Sequence, residues 1–486
     1  MSGGPDDEGP PPGGDSRDGS PPGGDPPPSP SSPPDRDDVF GAFDEAGRLG
    51  PAPPIAPREP GRSARLLRHV VVDVGPLRRH RDFRLLWFGR AVSLLGSMVT
   101  YVAIPYQAYQ ISHSSLIVGL VSAAALVPLL TMALVGGAFA DALDRRRLVL
   151  ITEVAFAGAS ALLVANATLW RPHLWVLFVV AALMAALDGL QRPPLDALLP
   201  RLVDRDELAA AGALSALRGT VGTIAGPALG GLLIAAAGVG AAYAFDVATF
   251  VVSVVVLTLM HAVPPPADAE PPSLRGILVG LRYAASRQEL IGTYSVDIVA
   301  MFFGMPEALF PALSQHLGGA SALGLLFAAP EVGSFLATIT SGWTARVHRH
   351  GVAVCLAAAG WGVGITLLGF APGLALAVAA LVIAGFFDMI SGIFRMVIWN
   401  QTIPDRLRGR LAGIEQISYS TGPLLGDVES GVVASLAGVR ASIASGGILC
   451  VAGVAVAATV LRGFWHYDSR QAAPEPPPAA AGGAAS

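Results

Sequence analysis

Gly136-Gly137-Ala138-Phe139-Ala140-Asp141-Ala142-Leu143-Asp144-Arg145-Arg146-Arg147 is the stretch that decides the fold. Glycines close one long apolar run, a carboxylate follows, three arginines come next, and a second apolar run begins. That order describes a tight turn between two membrane-crossing helices, with the arginines on the cytoplasmic side. The grammar returns at Ser341-Gly342-Trp343-Thr344-Ala345-Arg346-Val347-His348-Arg349-His350-Gly351-Val352. Gly137 and Gly342 are 205 residues apart, and so are Gly119 and Gly324 in the preceding apolar runs. A constant offset across a helix and its loop indicates a duplicated half.

Composition agrees. The chain has 486 residues, 52% hydrophobic and 14% charged, with mean hydropathy +0.55, against about 25% charge in soluble domains. Apolar stretches of membrane-spanning length alternate with short polar turns, which predicts an all-α membrane protein. There is no lysine; every basic side chain is arginine. Cys355 and Cys450 both lie in apolar runs, which argues against a disulfide or a metal site. The formal net charge of -4 says little, because the two signs are segregated along the chain.

Residues 1–65 read as a disordered acidic, Pro/Gly-rich tail without the apolar core of a signal peptide. Arginines crowd 58–84, where they favour the cytoplasmic face and anionic headgroups. Twelve spans are expected, at 85–107, 116–139, 148–170, 174–195, 209–235, 241–260, 290–313, 322–343, 352–370, 374–399, 411–436 and 441–461. They form two pseudo-symmetric six-helix bundles, 66–262 and 289–464. A linker at 263–288 carries an amphipathic helix, and a second disordered tail covers 465–486. Thirteen arginines fall in loops on one side of this plan and only Arg171 and Arg440 on the other, which puts both termini in the cytoplasm.

The fifth span carries Gly222, Gly226, Pro227, Gly230 and Gly231. Glycines four apart open a helix face to close approach, and Pro227 removes a backbone donor and bends the helix. Gly422-Pro423 and Gly426 echo this in the eleventh span, which predicts two bent helices packed at the interface between the halves.

Twelve spans in two halves, with this turn and this fifth helix, resemble the major facilitator superfamily. The loop motif of that family is matched at Gly137, Asp141, Arg145 and Arg146; Ala142 and Asp144 depart from it. The fifth-helix glycines resemble the antiporter signature, which implies export. Phe83 to Ser114, Leu187-Asp188-Gly189 and Arg408-Gly409-Arg410-Leu411 are similar to the enterobactin exporter group of the superfamily. The drug:proton antiporters share much of this pattern.

Charges at span depth are costly, about 2.5–3.5 kcal/mol each on insertion scales, so they should face a cavity or a partner. Arg90 and Asp188 lie in the inner part of the first half and are expected to pair. Release of Arg90 on protonation of Asp188 and a fixed structural pair remain equal alternatives. Asp297, then Asp388, are the expected cavity carboxylates of the second half. All nine histidines fall in tails, loops or span ends, so carboxylates must carry any proton. Without lysine there is no P-loop, and no catalytic constellation or metal cluster stands out. The expectation is a monomeric, cofactor-free, non-enzymatic transporter of the cytoplasmic membrane, in contact with lipid and not nucleic acid. It moves a small organic molecule, a siderophore or drug-like natural product, against protons. A nutrient importer of the same fold, or a transport-inactive receptor, is the rival.

Overall fold

The computed structural model describes residues 73–142, 144–261 and 282–470, with side chains left undescribed over 134–143 and 405–417. The expectations for the N-terminal tail, for the C-terminal tail beyond residue 470 and for most of the linker therefore lie outside the described residues, as do the Gly137 and Asp141 surroundings. Every described residue belongs to one compact unit, 71–486. Helices α1 (Arg81–Ser112), α2 (Ser115–Ala142), α3 (Arg145–Ala167) and α4 (Leu174–Leu202) open the chain. A 51-residue helical run, Leu208–Thr258, follows. It is broken only at Gly238, whose φ of 82° is open to glycine and strained for other residues, and so it divides into α5 (208–237) and α6 (239–258). Then come α7 (Gln288–Leu317), interrupted at Met305 and Pro306, α8 (Ala320–Thr340), α9 (His350–Phe370), α10 (Leu374–Thr402), α11 (Asp405–Ala437) and α12 (Val439–Val460).

Among the described residues, ten helices are long and apolar enough to cross a membrane. Counting the Gly238-broken run twice gives eleven of the twelve expected from the sequence, and α11 stands at the place of the remaining one. That helix spans 33 residues, with Asp427 and Glu429 in its described part, and it is not among the ten.

The packing of the first six helices is repeated six helices later. α2 packs on α4 and α3 on α4; α8 packs on α10 and α9 on α10. The halves meet along two seams, α2 against α11 and α8 against α5. At one, a Cβ on Gly324 would lie 2.5 Å from the Pro227 carbonyl oxygen, and one on Gly231 would lie 2.6 Å from that of Ala320. At the other, Gly119 faces the Asp427 carbonyl and Gly431 faces that of Ser115. Gly119 and Gly324 are the pair found by the 205-residue offset, and Ser115 and Ala320 keep it. Their partners keep an offset of 200, as do the turn glycines Gly238 and Gly438, both at positive φ. Backbone meets backbone here, so even one methyl group would push the helices apart.

This register corrects two expectations about the glycine helices. Gly226-Pro227 and Gly422-Pro423 are not counterparts at the seam; Asp427 stands where α5 has Pro227. Nor do all the motif glycines face the other half. Gly222, Gly226 and Gly230 receive Leu94, Met98 and Val99 of α1, and only Gly231 reaches α8. All four seam glycines lie near the bundle end that carries the connections at 113–114, 238, 318–319 and 438, so the halves are closed together at that end.

Candidate functional site

Between the halves lies a cavity of about 430 Å³, walled by α1, α2, α3, α4 and α6 from the first half and by α7, α8 and α11 from the second. Its lining is mainly apolar and includes Met98, Phe156, Met184, Phe250, Met305 and Phe327. Such a wall takes up an amphipathic organic molecule, with a few polar groups to orient it.

One end is built on Arg90. Its guanidinium donates to Glu153 Oε1 at 2.5 Å and to Gln191 Oε1 at 2.8 Å, and Gln191 Nε2 donates to Thr152 Oγ1 at 2.8 Å. Glu153 is fully buried, and a carboxylate without water needs such a cation and donors. Asp188 also lines the cavity, but it accepts from Arg192 Nε at 2.9 Å, one helical turn away, and is 42% exposed. Arg90 and Asp188 thus share the cavity without pairing. The sealed carboxylate takes the arginine, and the solvated one is served on its own helix. Arg218 lies beside Arg90 and is not part of the lining.

Deeper in the first half, Asp246 Oδ2 accepts the hydroxyls of Thr100 and Ser160, each at 2.6 Å. Gly96 lets α1 come this close, since a Cβ there would lie 2.6 Å from Asp246 Oδ1.

The closed end has a different chemistry. α7 breaks after Gly304, which leaves the Ala308 N–H without a helical acceptor; Asp427 Oδ1 takes it at 2.9 Å. The Tyr101 hydroxyl donates to Glu307, the Ser122 hydroxyl lies against Asp427, and Thr223 Oγ1 donates to Glu331 at 3.2 Å. All three contacts cross between the halves. In each, the first half supplies a neutral hydroxyl and the second half a carboxylate.

The residue sets of the second half are placed elsewhere. Asp297 and Arg395 form an ion pair, 5% and 4% exposed, supported by Ser418 Oγ donating to Asp297 Oδ2 at 3.1 Å. Asp388 stands 3.7 Å from Arg395. None of the three is part of the cavity lining, contrary to the expectation for Asp297 and Asp388. A buried carboxylate beside a buried guanidinium is satisfied within its own bundle.

The profile of the transmembrane secretion effector family matches residues 72–481. The chain belongs to this family of major facilitator transporters. Enterobactin exporters EntS from Shigella boydii serotype 4 and Escherichia coli O1:K1 are each 27% identical to it over 390 residues, covering 79% of this chain and 93% of theirs. Among solved structures, the nucleoside transporter NupG superposes with a TM-score of 0.65 at 14% identity, covering 80% of this chain and 100% of its own. A bacterial homolog of the human lysosomal transporter Spinster, in an inward-facing and unoccupied conformation, gives 0.62 at 15% identity, covering 82% and 98%. These likenesses carry the fold. The protein is a multi-pass membrane transporter and not an enzyme.

The described part of the loop motif ties helices of the first half together. Asp144, one of the two departures from the family motif, caps α3 by accepting from the Arg147 N–H at 3.0 Å. Arg145 donates to the Ala197 carbonyl at 3.3 Å. Arg146 donates to the carbonyls of Leu257 and Thr258 at 3.1 and 2.6 Å, at the C-terminal end of α6, where a cation is favoured. Sequence reasoning passed over Glu153, although it is the one charge in the third apolar run. Tyr101, Ser122 and Gln191 carried no signal, because uncharged polar residues are ordinary in spans. The structure also brings the ligand atoms of His80, Asp204 and Glu207 within 4.8 Å of one another. Glu207 is already engaged by Arg79 and by His80, the latter at 2.6 Å.

Proposed function

We propose that this chain exports a small organic molecule, a siderophore or drug-like natural product, across the cytoplasmic membrane in exchange for protons, by alternating access. The observation that carries the reading is the cavity shared by the two halves and shut at one end by matched glycine seams. Two rigid bundles hinged there can rock about a fixed site. Export is favoured by the fifth-helix glycines and by the kinship with exporters. The arginine bias favours cytoplasmic termini and hence a cavity loaded from the cytoplasm. Each inward proton contributes about 2.3 kcal/mol per 100 mV, and the cavity-wall acids, Asp188 among them, are the proposed acceptors. Arg90 orients the substrate, while Asp297 and Asp388 couple through Arg395 to the movement of the second half. One chain carries the whole cavity, so a lipid-embedded monomer suffices.

The test uses the purified full chain in sealed proteoliposomes with an imposed pH difference. Substrate movement opposite to the proton flow, lost when the gradient is collapsed, is expected. Movement in the same direction as the protons would make the chain an importer. No movement with either substrate class would remove the proposal. Asp188→Asn should slow the coupled flux; unchanged coupling would take Asp188 out of the proton path.

A further inference from the structure

The cavity is not electrically even, and the imbalance names a class of cargo. Arg90 is matched by Glu153, and Arg192 by Asp188. The other charged lining residues are Asp246, Glu307 and Asp427, all acids. Their bonded partners are neutral: the hydroxyls of Thr100, Ser160 and Tyr101 and the Ala308 N–H. Asp246 is fully buried, and its Oδ1 has no hydrogen-bond partner among the described residues. Neutral donors stabilise a carboxylate without cancelling its charge. Three acids in a low-dielectric wall with no base among them are costly to keep ionised, so the wall favours either protons or a cationic guest. A positive charge entering the cavity would lower that cost; an anion would raise it.

The aromatic groups fit the same visitor. Tyr101, which holds Glu307, lies edge to face against Phe327 with ring centroids 5.4 Å apart, and both line the cavity. Ring faces beside a carboxylate make a favourable seat for an organic ammonium, whose low charge density keeps its desolvation cost small. We infer that the Tyr101–Phe327–Glu307–Asp427 end of the cavity is a subsite for the cationic nitrogen of the cargo, which is an amphiphilic organic cation with its apolar body against the Met98 and Phe250 side. This rests on the transporter reading and specifies its substrate class.

The experiment is equilibrium binding to the full chain in lipid nanodiscs. The probes are 2-naphthylmethyl-trimethylammonium and 2-naphthylacetate, a cation and an anion sharing one aromatic body. The cation should bind at least about tenfold more tightly than the anion, and Glu307→Gln and Asp427→Asn should each weaken it by about tenfold. Glu307→Asp keeps the charge and should stay within about threefold of wild type, which separates lost charge from lost folding. Equal or tighter binding of the anion, or wild-type cation affinity in both neutralised variants, would overturn the inference. Gradient-driven movement of the anion alone would overturn it and leave the transporter reading standing. Glu307-dependent binding of the cation without any gradient-driven movement would uphold the subsite and count against the transporter reading.

Discussion

The two halves share a backbone plan and differ in where they keep charge. At the seams they are copies: Gly324 faces the carbonyl of Pro227, and Gly119 faces the carbonyl of Asp427, at constant offsets. The side chains on those carbonyl-bearing residues could hardly differ more. Pro227 adds rigidity to α5, whereas Asp427 turns a carboxylate to the Ala308 N–H and the cavity. The buried ion pairs diverge in the same way. Arg395–Asp297 is sealed inside the second half, while Arg90, paired with Glu153, lines the cavity from the first. Close backbone packing tolerates no added atoms, so it is retained through duplication. A side chain pointing into a cavity is free to change, and there the function diverges.

The sharpest test of this contrast is Arg395→Met. It leaves Asp297 buried without its cation, at a cost of about 3–5 kcal/mol, seen as a large drop in thermal stability of the purified protein. Adding Asp297→Asn should recover much of the loss. Arg90→Met should cost less stability and more transport, because its site borders the cavity; equal destabilisation by the two would erase the distinction.

Next in size are the seams. Gly119→Val and Gly324→Val should each destabilise by about 1–3 kcal/mol or more through overpacking, and by similar amounts. A tolerated change at one alone would break the equivalence of the two. Within α5, Gly231→Ala should be the harmful change, since its methyl group meets the α8 backbone. Gly222→Ala should cost under about 1 kcal/mol, because it meets only the movable Leu94 side chain. The smallest effect is expected from Asp427→Asn. The amide oxygen still accepts from Ala308, so thermal stability should shift by less than about 1 kcal/mol while cation binding falls.

Much of the architecture was legible in the chain. The 205-residue offset located Gly119 and Gly324, and both sit in a seam. Apolar length located the helices, and Gly238 needed only its lack of a side chain to turn the chain in one residue. The site was less legible. Arg90 was expected to meet Asp188, and in space it meets Glu153, 63 residues along. Tyr101 and Glu307 are 206 residues apart and on different bundles.

What the sequence determined by itself was a duplicated helical membrane transporter, because hydrocarbon forces backbone hydrogen bonds inside each helix and marks each crossing with an apolar run. Which carboxylate a guanidinium meets, and which acids are left facing a cavity without one, was decided only in three dimensions. Those outcomes depend on helix rotation and neighbour choice, and neither leaves a periodic trace in the chain.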